Sequence, residues 1–165
     1  MNVGVVGCGV IAGRYVTGSA AFDSFDVIAC SDTDAERSQT LGAEHGLLVE
    51  AVDELIADPA IEVVLNLTPP EAHTAVVGAA LSAGKHVYTE KPLTTSVAEG
   101  RGLLDEAARL KLRVGCAPDT FLGSAYAAAR DLIWRYGLAS EIMDPLRRTT
   151  EIGNWLRTVV VPRRF

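Results

Sequence analysis

NVGVVGCGVIAG, residues 2–13, opens as a buried strand and closes as the first turn of a helix. After Asn2, residues 3–7 are apolar and rich in valine, as a strand covered on both faces requires. GCGVIA, Gly7 to Ala12, follows at once. In such a turn Gly7 allows the sharp reversal and Gly9 lets the backbone approach a pyrophosphate. Val10 and Ile11 carry the chain into the helix, and Ala12 lets that helix pack closely on the strand. The free N–H groups at the helix start, with the helix dipole, favour phosphate. The GxGxxA string alone is not specific. Set between a strand and a helix, it signals a dinucleotide site; the bland alternative is a glycine turn that holds no ligand.

The same alternation continues outward from this unit. DVIACS (26–31), EVVLNL (62–67), HVYTE (86–90) and LRVGCA (112–117) are further short valine-bearing runs, and GLLVE (46–50) is a weaker one. Between them the periodicity predicts helices over about 10–21, 34–45, 52–57, 71–83, 96–110 and 121–136. Thr33…Glu36, Ser96…Glu99 and Thr68…Glu71 have capping-box spacing. Pro69 falls where a first helical residue needs no N–H. Gly46 and Gly84 stand where helices should stop. Strand and helix in alternation imply a doubly wound α/β sheet of parallel strands, in the order 3-2-1-4-5-6.

Asp32 ends the second strand, 23 residues beyond Gly9. An acidic residue about 20 positions on is suited to bond a ribose 2′-hydroxyl and to repel a 2′-phosphate, which favours NAD over NADP. Asp32 has a structural alternative, support of the cap at Thr33. Arg37 follows on the helix and tolerates a phosphate, so NADP stays open.

NLTPPEAH, Asn66–His73, lies at the carboxyl end of the fourth strand, where ligands of open α/β sheets bind. This makes Thr68, Pro69 and His73 candidate cofactor contacts. Against that, Thr68 serves equally as a helix cap, and His73 is as readily solvated. His45 and His86 read as structural. HVYTEKPLTTS, residues 86–96, places Glu90, Lys91 and Pro92 where the fifth strand leaves the sheet. By itself that triplet is a solvated turn. Asp119, in APDTF, either borders the nicotinamide pocket or caps a helix.

The bulk composition narrows the classes. With 165 residues, 48% hydrophobic and 22% charged, the chain is an ordinary globular one. Its net charge of −6 disfavours nucleic acid and anionic membranes as partners. Cys8, Cys30 and Cys116 form no CxxC pair, so reduced thiols, a cytoplasmic location and no metal are expected. No apolar run approaches the ~20 residues of a membrane span.

GCGVIA, Asp32, NLTPPEAH, GKHVYTEKPL and VGCAPDTFLG, in this order, resemble the glucose-fructose oxidoreductase/inositol dehydrogenase/MocA family of NAD(P)-dependent oxidoreductases. The likeness covers roughly residues 2–133. It implies a Rossmann domain in which the Glu-Lys-Pro triplet follows the fifth strand, with Lys91 facing nicotinamide and substrate and with Glu90 and Pro92 supporting it. A lysine there can hydrogen-bond a substrate hydroxyl and stabilise charge that develops as hydride leaves. The implied reaction is oxidation of a secondary alcohol on a sugar, inositol or related polyol, with NAD, or alternatively NADP, as acceptor. The competing class is a dinucleotide-binding module without turnover. A methyltransferase with a similar glycine turn gives no reason for Glu90-Lys91-Pro92.

Family members run well beyond 300 residues. Their second half, an α/β domain, supplies the Asp and His that complete catalysis, most substrate contacts and the oligomer interface. The expected division is therefore 1–120 as the Rossmann domain and 121–165 as a helix plus an atypical basic tail, the start of a second domain absent from this chain. From Arg135 onward six arginines face three acids, and no histidine follows His86. A truncation and a shifted reading frame both fit. Expected partners are a small sugar or polyol and, through the missing half, a second copy of the chain.

Overall fold

The computed structural model describes residues 1–117 and, beyond them, only residues 128, 129, 131, 132 and 135. The chain divides into two compact units, Met1–Pro118 and Asp119–Phe165. In the first unit the strands are β1 (Asn2–Val6), β2 (Asp26–Ser31), β3 (Leu48–Val49), β4 (Val63–Asn66), β5 (His86–Thr89) and β6 (Val114–Cys116). The helices are α1 (Ala12–Ser19), α2 (Ala35–His45), α3 (Val52–Ala57), α4 (Pro70–Ser82) and α5 (Val97–Leu110). The helix expected over 121–136 lies outside the described residues, apart from the five named, which are helical.

All six strands form one sheet in the order β3-β2-β1-β4-β5-β6, and every pairing is parallel. This is the doubly wound order expected from the sequence. The period of two along each strand sorts side chains to opposite faces. Val6 and Val64 pack with Leu55, Val77, Leu81 and Leu103 of α3, α4 and α5. Val3, Val5 and Leu65 pack with Ala12, Val16 and Leu41 of α1 and α2. Each fully buried leucine, such as Leu55 or Leu81, contributes roughly 1.5–3 kcal/mol of burial.

Two of the expected helix starts are corrected. Asp34, not Thr33, caps α2: its Oδ1 accepts from the N–H groups of Glu36 (3.1 Å) and Arg37 (3.4 Å). The Thr33 hydroxyl instead donates to Asp32 Oδ1 at 3.4 Å. At α4 the first helical residue is Pro70, one later than expected, and no side chain caps it; the Thr68 hydroxyl donates to Asn66 Oδ1 at 2.6 Å. Ser96 does cap α5, accepting from Glu99 N–H at 3.5 Å. Gly46 ends α2 at φ +68° as expected.

A buried cation braces the sheet's lower edge. Lys85 is 7% exposed, and its Nζ donates to the carbonyls of Asp58 (2.6 Å) and Ile61 (2.8 Å). Those two bonds tie the start of β5 to the turn between α3 and β4. Glu50, after β3, is less well served: among the described residues its Oε2 is buried without a hydrogen-bond partner. Burial, then the charges of Asp58 and Glu54, push its carboxyl above the usual range. A raised folded-state value means that the folded chain binds the proton more tightly, so this group costs stability as pH rises through the carboxylate range. Glu50→Gln is therefore expected to raise Tm by roughly 2–4 °C at pH 7. The gain should vanish near pH 3, where both states are protonated; an equal gain at both pH values would contradict this account.

Candidate functional site: the carboxyl edge of the sheet

Four of the expected motifs leave the sheet at the same edge, the carboxyl ends of β1, β2, β4 and β5. The glycine turn follows β1, at the point where strand order reverses between β1 and β4. Gly7 has φ +101°, and its N–H donates to Ser31 O at 2.8 Å. A Cβ at Gly7 would lie 2.7 Å from backbone atoms of Leu67 and Thr68. A Cβ at Gly9 would meet nothing within 4 Å. The space over Gly9 is thus open for a ligand group to approach the backbone. Val10 stands 98% exposed and Ile11 is exposed too, while Ala12 is fully buried. No side chain caps α1; the N–H groups of Ala12 and Arg14 donate to the carbonyls of Gly9 and Ile11, each at 3.0 Å, so an anion here would meet the open turn and the helix dipole rather than those two groups. These features fit a pyrophosphate.

From this turn a groove of about 440 Å³ runs toward α2, with Gly9, Val10 and Gly13 on one wall and Arg37, Thr40 and Leu41 on the other. Asp32 stands beside the glycine turn. Its Oδ2 accepts from Cys8 N–H at 2.7 Å and its Oδ1 from Asp34 N–H at 2.8 Å. Asp32 is therefore a strut between the glycine turn and α2 as well as a ribose candidate. A carboxylate has about four lone-pair sites, so these bonds leave room for a hydroxyl donor. Arg37 pairs with Asp34 at 3.1 Å, a solvent-exposed bridge that holds it only loosely.

Two cysteines back the turn. Cys8 and Cys30 are buried and unbridged. A hydrogen bond with Cys30, burial and the nearby charges of Cys30 and Asp32 push the Cys8 thiol well up. It stays neutral and acts as packing.

At the β4 end, Asn66 is fully buried. Its amide donates to Thr89 Oγ1 at 3.1 Å, and its Oδ1 accepts from the Thr68 N–H and hydroxyl. His73 requires a correction: it is neither solvated nor turned toward an open site. It is 0% exposed. Its ring nitrogens face the carbonyl oxygens of Pro92 (2.6 Å) and Thr68 (2.8 Å). A helix of 13 residues with His73 in its first turn aims that side chain inward, between the two loops. His73 thus ties the Thr68-Pro69 loop to the Glu-Lys-Pro turn. His86, expected to be structural, accepts from Arg113 N–H at 3.0 Å.

Glu90 is half-buried, whereas Lys91 and Pro92 are exposed and joined by a cis peptide bond. Glu90 Oε1 accepts from the Tyr15 hydroxyl at 2.7 Å, and its Oε2 accepts from Lys91 N–H at 3.0 Å. Among the described residues, Lys91 Nζ takes part in no ion pair. Cys116 borders this turn, and burial and the Glu90 charge push its thiol up. Asp119 lies outside the described residues. Sequence reasoning missed Tyr15 and Asn66; Asn66 at a strand's carboxyl end was a usable signal, whereas nothing local marked Tyr15.

Among the described residues no cluster of three or more His, Cys, Asp or Glu side chains stands where a metal could be held, and no helix is long and apolar enough to cross a membrane.

Residues 1–117 match the GFO/IDH/MocA model, an oxidoreductase family with an NAD-binding Rossmann fold. A 1,5-anhydro-D-fructose reductase of Ensifer adhaerens is 32% identical over 132 residues, covering 79% of this chain and 40% of that protein. The crystal structure of GenD2 from gentamicin A biosynthesis, in complex with NAD, aligns with TM-score 0.77 at 26% identity, over 80% of this chain and 38% of that one. Biliverdin reductase from Synechocystis, in complex with biliverdin and NADP+, aligns with TM-score 0.71 at 28% identity, over 79% and 42%. The chain spans about 40% of the length of these relatives. The family match runs from β1 through β6 and omits no strand of the sheet, so the chain belongs to this family of NAD(P)-binding oxidoreductases.

Proposed function

We propose that this chain is the nucleotide-binding part of an oxidoreductase that moves hydride from a hydroxyl of a sugar, inositol or related polyol to NAD. The observation that carries this reading is the shared edge: an open glycine turn, Asp32 and the exposed Lys91, in no ion pair among the described residues, all follow the carboxyl ends of strands of one parallel sheet. Gly7, Gly9, Val10, Ile11 and Ala12 would hold the pyrophosphate, and Asp32 the ribose hydroxyls. Thr68 and Pro69 would border the nicotinamide end, with Asp119 a further candidate there. When bound, the nicotinamide supplies the hydride acceptor. Lys91 would bond the substrate hydroxyl and take or share its proton, with Glu90 and Pro92 fixing the turn. His73 would act through Thr68 and Pro92 rather than by touching cofactor.

The preference for NAD rests on charge. A second carboxylate, Asp34, occupies Arg37, and Glu36 and Glu44 also line the groove. A 2′-phosphate brought there meets three acids besides Asp32. Asp32→Ala is expected to weaken NAD by about 1–3 kcal/mol, the cost of losing hydrogen bonds to a charged group, and to weaken NADP less or strengthen it. Calorimetric titration of both dinucleotides checks this. A folded wild-type chain that takes up neither would sink the proposal.

The second reading is a dinucleotide-binding module without turnover of its own. By family resemblance a second domain closes the substrate side, and residues 121–165 would be only its start. Following reduced nicotinamide across a panel of polyols separates the two readings: binding without turnover by the 165-residue chain supports the module.

A further inference from the structure

Tyr15 and Glu90 are 75 residues apart in sequence and 2.7 Å apart in space. Tyr15 is on α1, one turn beyond the glycine turn, and its N–H donates to Ile11 O at 3.3 Å. Glu90 opens the Glu-Lys-Pro turn. Its backbone N–H donates to Asn66 O at 2.9 Å, which leaves the carboxylate to be oriented separately. One carboxylate oxygen takes the tyrosine hydroxyl, and the other takes the N–H of Lys91. The two bonds together fix the plane of the carboxylate and the start of the lysine's own backbone. A hydrogen bond to a charged acceptor is among the stronger ones.

We infer that Tyr15 is a positioning residue: through Glu90 it couples the dinucleotide turn to Lys91, so that occupancy of the glycine turn sets where the lysine ammonium stands. This rests on the dinucleotide reading above. The physical path is short and continuous. A ligand that orders Gly9–Ala12 orders the first turn of α1, and that turn carries the tyrosine whose hydroxyl holds the Glu90 carboxylate. A merely structural tyrosine would affect stability and leave the lysine's response to ligand unchanged.

The sequence offers a direct probe, because its only lysines are Lys85, Lys91 and Lys111. Reductive methylation with ¹³C-formaldehyde labels them, and the Lys91 signal is assigned by its loss in Lys91→Arg. In the ligand-free chain Tyr15→Phe is expected to move the Lys91 methyl resonance and leave that of Lys111 still. With NAD at saturation the wild-type Lys91 signal should shift. In Tyr15→Phe that shift should fall below half, while the dissociation constant stays within about threefold, a difference of under ~0.7 kcal/mol. Glu90→Ala should reproduce the loss, and Tyr15→Phe should add nothing further in that background, the mark of two residues acting as one unit. Thermal unfolding of each variant establishes that it is folded. An unchanged Lys91 signal in folded Tyr15→Phe, or additive losses in the double variant, would overturn the inference. Failure of the dinucleotide reading looks different: the wild type itself would show no uptake and no NAD-induced shift. That outcome would overturn the coupling as well, while the ligand-free comparison would still judge the positioning of Lys91 by Tyr15.

Discussion

Lys91→Met is expected to lower hydride transfer at least about a hundredfold, or roughly 2.7 kcal/mol of barrier, while leaving NAD affinity within about threefold. Methionine keeps the length and most of the apolar stem but has no ammonium. The exposed position of Lys91, with the backbone held by Glu90, means that the fold should not notice the change. The effect should therefore fall on turnover and not on binding or Tm. The measurement is kcat and the dinucleotide dissociation constant, side by side, in a length of the protein that turns substrate over. A loss confined to KM would make Lys91 a substrate anchor only. Near-normal turnover would return it to a solvated turn residue.

The second large effect separates two glycines that look alike in the motif. Gly7→Ala places a methyl 2.7 Å from the backbone of Leu67 and Thr68 at φ +101°. These backbone atoms, just beyond the end of β4, cannot turn aside as a side chain can, so the β1–β4 junction must open. A cost of about 3 kcal/mol or more is expected, a large share of a typical domain's 5–15 kcal/mol. Gly9→Ala meets nothing in the protein and should leave Tm within about a degree. It should nevertheless weaken NAD about tenfold or more, because the methyl fills the space a phosphate needs. Thermal unfolding and titration of both variants test the pair. Equal stability for the two would mean that Gly7 does not bear the turn's strain; full NAD affinity in Gly9→Ala would mean that the phosphate does not approach there.

Both effects rest on residues the motif named, but the motif did not distinguish their roles. Gly7 is a matter of the fold and Gly9 is proposed to serve the ligand, and only the backbone just beyond β4, lying beside Gly7, separates them. The same holds for the caps. Thr33 and Thr68 have the right spacing to cap α2 and α4, yet Asp34 accepts the bonds at the start of α2, and at α4 the Thr68 hydroxyl donates to Asn66 and no side chain caps the helix. Carboxylate and amide oxygens were one or two residues away in each case. Spacing rules count positions and do not weigh such local competition.

The amino-acid sequence by itself determined the parallel doubly wound sheet, the glycine turn and the chemistry gathered along one edge. Those follow from short-range physics: valine-rich runs that need cover on both faces, glycine where φ is positive, proline and serine at helix starts. What only the tertiary structure decided are the bonds that cross the chain. His73 lies between Thr68 and Pro92, Lys85 is held by Asp58 and Ile61, and Tyr15 holds Glu90 across 75 residues. Such pairs depend on which strands end side by side and on how far each helix starts beyond its strand. A shift of one residue in either rotates a helical side chain by about 100° and breaks the bond. Neighbours along the chain carry no record of that, so Tyr15 looked like an ordinary residue of an amphipathic helix until β1 and β5 were placed in one sheet.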